Sequence, residues 1–174
     1  MIIRANNYEP RNNSEYYILD RQLTAGKAGR FDLTGIYWGR AQRRKGQEVP
    51  LCLMEVKFAL NPDIQNLHEQ IGRYYDAIRE QASVMAEEAE EMLRQKIELG
   101  HINQPANRLE AMKTLTISRD IGKFQFMLFL IDYNPHSSLL NLEKINRLPF
   151  AHQLRIYRGG FALWHANLVP LMST

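Results

Sequence analysis

Three side chains are of types, and at a spacing, that could do chemistry together: Asp32, Glu55 and Lys57. Leu51-Cys-Leu-Met-Glu-Val-Lys-Phe58 is an apolar run bounded by Pro50 and by Asn61-Pro62, the pattern of a buried strand. Side chains alternate along a strand, so Glu55 and Lys57 point to one face. A carboxylate and an amine at the end of a buried strand are costly unless they have a partner or a task. Hydrolysing a phosphodiester requires a metal that polarises the phosphate and activates water, with a cation near the developing charge. Mg²⁺ prefers oxygen ligands, commonly one or two carboxylates completed by waters and phosphate oxygens. Asp32 and Glu55 offer two carboxylates, the Val56 carbonyl offers a third protein ligand, and Lys57 offers the cation.

The surrounding elements must bring these residues together. Arg30 to Trp38 is rich in aromatic and β-branched residues and reads as a strand, as does Val49 to Phe58. The polar connection from Gly39 to Glu48 makes them an antiparallel hairpin. If Trp38 pairs with Val49, six steps along each strand bring Asp32 opposite Glu55 on one face, about 5 Å apart at Cβ. Upstream, Ile2-Ile3 reads as a short strand. Ser14 reads as the cap of a short helix over Glu15 to Leu23, ended by Gly26 and Gly29. Downstream, Asn61-Pro-Asp63 starts a helix carrying Leu67, Ile71, Tyr74 and Ile78 on its apolar face. Its periodicity runs on toward Leu99, long enough to project or to fold back as a second helix with Glu87, Glu88, Glu90 and Glu91 solvated. Leu109 to Ile117 is a short helix or an irregular segment. Phe124 to Tyr133 is a central strand buried on both faces. Ser137 or Ser138 caps a helix through Leu142 and Ile145. Leu154 to Trp164 reads as a closing hairpin turning at Gly159-Gly160.

Asp32 followed by Glu55-x-Lys57 on the partner strand resembles the active-site motif of the PD-(D/E)xK nuclease superfamily, and Gly29-Arg30-Phe31-Asp32 matches the Gly-x-x-Asp form of its first half. Gln70-Ile-Gly-Arg-Tyr74 resembles the Gln-x-x-x-Tyr motif of the RecB-like branch; Gln70 and Tyr74 are i,i+4 on one helix face. The resemblance covers roughly residues 14–133. It implies an α/β fold with a central mixed β-sheet flanked by helices, restriction-endonuclease-like, over residues 1–174 as one domain. It implies a DNA phosphodiester hydrolase using Mg²⁺ (or Mn²⁺), with Asp32, Glu55 and Lys57 catalytic. It also implies that Gln70 and Tyr74 support the site, and that Glu15, on the first helix, stands near the metal.

Charge distribution bears on the partner. The net charge is +3, with basic residues concentrated before residue 46 and acidic ones between Glu80 and Glu98. Arg40, Arg43, Arg44 and Lys45 form either a solvated hairpin tip or a phosphate-contacting finger beside the metal. Arg73, between the two motif residues, faces phosphate or solvent. Cys52 is the only cysteine, which excludes an intrachain disulfide and a cysteine-rich zinc site. The histidines lack metal-ligand spacing, and there is no P-loop, nucleophile elbow or dinucleotide fingerprint. With no apolar run of membrane-spanning length and no signal-peptide pattern, the expected place is the cytoplasm. The expected partner is nucleic acid, with no membrane. A homodimer or larger complex is compatible with cutting two strands. The alternative is a nuclease-fold protein that binds nucleic acid or a protein without cutting.

Overall fold

The computed structural model describes residues 1–9, 13–40, 42–45 and 48–165, though not the side chains of Arg44 and Lys45. Its centre is a five-stranded mixed sheet flanked by helices, in the order β1 (Tyr16–Thr24), β2 (Arg30–Tyr37), β4 (Leu51–Phe58), β6 (Gln125–Ile131), β7 (Leu154–Gly159). β2 runs antiparallel to β1 and β4, while β4, β6 and β7 are mutually parallel. A two-stranded parallel ladder joins β3 (Glu48–Val49) to β5 (Thr116–Ile117). Pro50 separates β3 from β4: without an N–H it interrupts the ladder, so the single strand expected from Val49 to Phe58 changes partners there.

One sheet face holds the main core, where Leu51, Leu53 and Phe126 meet α2 (Leu67–Arg79) and α3 (Ala82–Glu98). α4 (Ala106–Lys113) adds Met112 to that core, and α5 (Leu142–Asn146) adds Ile145. The opposite face carries Ile18, Leu33, Cys52, Met54 and Met127, with Ile2 and Ile3 packed on them. Thus β4 and β6 are buried on both faces, as expected of central strands. The long helical pattern divides at Glu80-Gln81 into α2 and α3, the folded-back arrangement. No described helix is long and apolar enough to cross a membrane.

Several expected elements are replaced. Ile2-Ile3 is helical and leads into a π-type turn over Arg4–Tyr8. Glu15 to Leu23 is not a helix but strand β1: its aromatic and β-branched residues suit a pleated surface, and Tyr17, Ile18 and Leu19 are buried on both sides. Ser14, read as a helix cap, instead accepts the Tyr16 N–H in a local turn. Asn141, rather than a serine, caps α5, accepting the Lys144 N–H. Among the described residues no hairpin follows β7. Beyond Gly160, whose φ is +139°, the N–H groups of Phe161 and Ala162 donate to Asp132 Oδ1 rather than to a returning strand. Glu90 is buried rather than solvated, binding Arg119 and the Ile117 N–H, and so ties α3 to β5.

Candidate active site

The β2–β4 ladder runs Leu33↔Met54, Thr34↔Leu53, Gly35↔Cys52, Ile36↔Leu51. One further step sets Asp32 opposite Glu55, the register expected from the hairpin. The ladder ends at Leu33, and the Val56 N–H that β2 no longer satisfies donates to Asp32 Oδ2 at 2.8 Å. The Asp32 carboxylate is therefore turned into the seam between the strands. The Val56 carbonyl points toward that same edge, because one strand residue directs its N–H and C=O to one side.

Glu55 and Lys57 project toward α2 and are only 4% and 8% exposed. Lys57 Nζ lies 2.8 Å from Glu55 Oε1, and the exposed Asp63 at the helix start places its Oδ2 3.9 Å from the same nitrogen. Gln70 Nε2 donates to Glu55 Oε1 and to the Tyr74 hydroxyl, each at 2.8 Å. The i,i+4 spacing on α2 makes this relay possible. Tyr74 is in turn set by its ring, which meets Phe31 edge-on with centroids 4.8 Å apart. It also lies against Gly29, where a Cβ would come within 2.7 Å of the Tyr74 ring and hydroxyl. Gly29 has φ +133°, open to glycine and strained for other residues. The Gly-x-x-Asp stretch thus seats the tyrosine as well as presenting Asp32.

Glu55 has unequal oxygens. Oε1 accepts from Lys57 and Gln70, while Oε2 is buried without a hydrogen-bond partner. Burial pushes the Glu55 carboxyl above the usual range, with Asp32 adding to the rise; the Lys57 ammonium and the Gln70 amide oppose it without cancelling it. An orphaned buried carboxylate oxygen carries the full desolvation penalty, which a cation would relieve. Among the described residues no group of three or more His, Cys, Asp or Glu side chains is placed to hold a metal. Asp32, Glu55 and the Val56 carbonyl are all-oxygen donors of the kind Mg²⁺ takes with waters completing its shell. The chemistry of the donor set and the bare Oε2 fit that ion.

Other expected residues stand elsewhere. Glu15 is not on a helix near Asp32. It precedes β1, and its Oε1 accepts the Arg40 N–H at the far end of the β1–β2 pair. At a strand rise near 3.3 Å per residue, that end is about 20 Å from Asp32. The basic connection is at the same far end, so the four residues do not form a finger beside the site. Arg40 is exposed, and Arg44 and Lys45 lie on the one-turn helix α1 (Gln42–Lys45). Arg43 is a structural residue: it donates to the Trp38 and Ser14 carbonyls and covers the Trp38 ring at 4.9 Å. Arg73 is exposed on α2 and takes no part in the Glu55 relay. His68, whose Nε2 lies 3.7 Å from Glu69, is likewise outside the relay. Asp63 was legible only as a helix-start acid; its signal was its place just after the Glu-x-Lys strand. Comparison with models of known families, with curated proteins and with solved structures finds no match.

Proposed function

We propose that this chain is a metal-dependent nuclease that hydrolyses DNA phosphodiester bonds, built on a restriction-endonuclease-like fold of the PD-(D/E)xK kind. The observation that carries the reading is Glu55: a nearly fully buried carboxylate whose one oxygen is held by Lys57 and Gln70 and whose other is bare. A cation bound there would supply the partner that oxygen lacks. Asp32, Glu55 and the Val56 carbonyl would hold Mg²⁺ or Mn²⁺. When bound, that ion supplies polarisation of the phosphoryl oxygen and a more acidic water.

The remaining work falls to the chain's own groups. Gln70, held by Tyr74, fixes the rotamer of Glu55 and keeps Oε2 directed away from Lys57. Lys57 Nζ, anchored at 2.8 Å from Glu55, is the ammonium available to orient water or to meet charge developing on the phosphate. Asp63 Oδ2 also stands 3.9 Å from that nitrogen.

The test is cleavage of circular single-stranded and supercoiled double-stranded DNA with Mg²⁺, Mn²⁺ or EDTA, comparing wild type with Glu55→Ala. Metal-dependent cutting that disappears in the variant is the expected result. Intact circles, intact linear DNA and RNA, and no heat of metal binding together would overturn it in favour of a nuclease-fold protein that binds without cutting.

A further inference from the structure

Asp32 and Val56 also border open space at the ends of the strands. They line a cleft of about 590 Å³ between the N-terminal helical segment and the ends of β2, β4 and β6. Its walls are apolar, with Ile2, Ile3 and Leu33 among them, and Phe58 at its edge is 63% exposed. Arg4 and Arg21 also line it. A second cleft adjoins the first and shares Ile3, Tyr8 and Arg21 with it; Lys96 and His101 line its far part. Tyr8 joins the two, its hydroxyl 3.2 Å from His101 Nδ1. Together they form one trough that begins at Asp32 and runs past Arg21 to Lys96.

The charges along this trough are available. Among the described residues neither Arg21 nor Lys96 makes an ion pair, and Arg4 has only a 3.6 Å contact with Glu9 between exposed side chains. The acids facing the trough are Asp20, which accepts the Arg21 backbone N–H, and Asp32 itself. This contrasts with Arg43, whose guanidinium is fully engaged within the fold. Cations spaced along a channel with apolar walls and an exposed aromatic ring suit a polyanion that also shows flat apolar faces. A duplex hides its base faces in the stack; a single strand presents them.

We propose that this trough is the track for a single nucleic-acid strand, with Arg21 and Lys96 on its phosphates and a base stacked on Phe58. The proposal rests on the hydrolytic reading of Asp32 and Glu55, and it assigns the substrate path to residues remote from the basic hairpin tip. A strand lying in the trough passes Asp32 and the Val56 edge, where hydrolysis would occur.

The experiment is fluorescence anisotropy of a labelled oligothymidine, of the matching oligouridine, and of the same DNA strand annealed in a duplex, all in EDTA so that binding is read without cutting. Wild type is expected to prefer the single strands. Arg21→Glu combined with Lys96→Glu should reduce the slope of log affinity against log salt by about 1.4, from two lost phosphate contacts. Phe58→Ala should weaken binding about 5-fold or more. Arg21→Gln with Lys96→Gln is the milder pair, should the reversals disturb folding on a thermal melt. Arg40→Glu, at the far end of the hairpin, should change neither quantity. Preference of oligouridine over oligothymidine would make RNA the strand taken. Unchanged binding in both Arg21/Lys96 pairs, a loss in Arg40→Glu instead, tighter binding of duplex, or no binding by wild type would each overturn the track. Cleavage by wild type in Mg²⁺, measured separately, decides the hydrolytic reading whichever way binding falls.

Discussion

Tyr74 packs so closely on Gly29 that any side chain at position 29 would displace it: a Cβ there falls 2.7 Å from both the ring and the hydroxyl. The same hydroxyl accepts from Gln70, which holds Glu55. A backbone feature at the end of the β1–β2 turn therefore sets the orientation of a carboxylate on another strand. Gly29→Ala is expected to destabilise the fold by about 1–3 kcal/mol, from the strained φ alone, and to release Tyr74 from Gln70. Tyr74→Phe removes only the hydroxyl and should cost about 1 kcal/mol. Urea denaturation of both single variants and the double variant checks this. Sub-additive losses are the expected outcome, because both changes break the same relay; strict additivity would mean that Gly29 and Tyr74 act independently.

The two buried glutamates predict opposite pH behaviour. Burial raises Glu55 above its ordinary value, so the folded chain holds that proton more tightly than the unfolded chain does. The stability from this group is full below the unfolded carboxylate pKa and is lost as pH rises through the raised folded one. For Glu90, burial alone would raise the pKa, but Arg119, the Ile117 N–H and Arg94 together hold it below the usual range. Its contribution is present above the unfolded pKa and is lost as pH falls through the lowered one. Denaturation midpoints measured across the acid range should therefore shift with opposite slope changes in Glu55→Gln and Glu90→Gln. Parallel changes in the two variants would sink this assignment.

Lys57 offers the sharpest separation of chemistry from folding. Lys57→Ala should lower kcat for metal-dependent cleavage by about 100-fold or more, the scale of removing a group that meets developing charge. Metal binding, read by calorimetry, should persist, because no donor atom has been removed. Lys57→Arg should not restore the rate, since a planar fork cannot take the place of a compact ammonium 2.8 Å from Glu55. Cleavage at the wild-type rate by Lys57→Ala would remove Lys57 from the mechanism.

Much of this site was legible because its logic is local. The apolar run before Glu55, the polar hairpin tip and the spacing of Asp32 together fix a register that the β2–β4 ladder reproduces. The Gln70 and Tyr74 spacing likewise places both on one helix face, where a single amide serves Glu55 and Tyr74. Residues 16–24 were harder. Three successive buried residues, 17–19, followed by three exposed ones, 20–22, show no period of two, and the flanking serine and glycines imitate helix punctuation. The turn of Asp32 toward the Val56 N–H depends on where β2 leaves the ladder, which no residue type announces. The placing of the basic connection was already implicit in the hairpin, because its tip and its open end are separated by the length of the strands. Composition drew those cations to the site; topology takes them away from it.

Arg43 tests that last distinction. Its Nε donates to the Trp38 carbonyl at 3.1 Å and its Nη2 to the Ser14 carbonyl at 2.9 Å, with the guanidinium over the Trp38 ring. These contacts bind the connection after β2 to the start of β1. Arg43→Ala should lower stability by about 2 kcal/mol, the scale of two hydrogen bonds from a charged donor and a cation–π contact, less what water recovers at a half-buried position. Arg43→Lys should recover little of it, since one ammonium cannot reach both carbonyls while lying flat on the indole. Affinity for a single-stranded oligonucleotide, measured well below the melting temperature, should remain at the wild-type value in both variants, and so should its salt dependence. A fall in the salt slope with unchanged stability would return Arg43 to phosphate binding and make the hairpin tip part of the substrate path. Loss of stability with an unchanged slope would fix it as the clamp that closes the end of the sheet remote from Asp32.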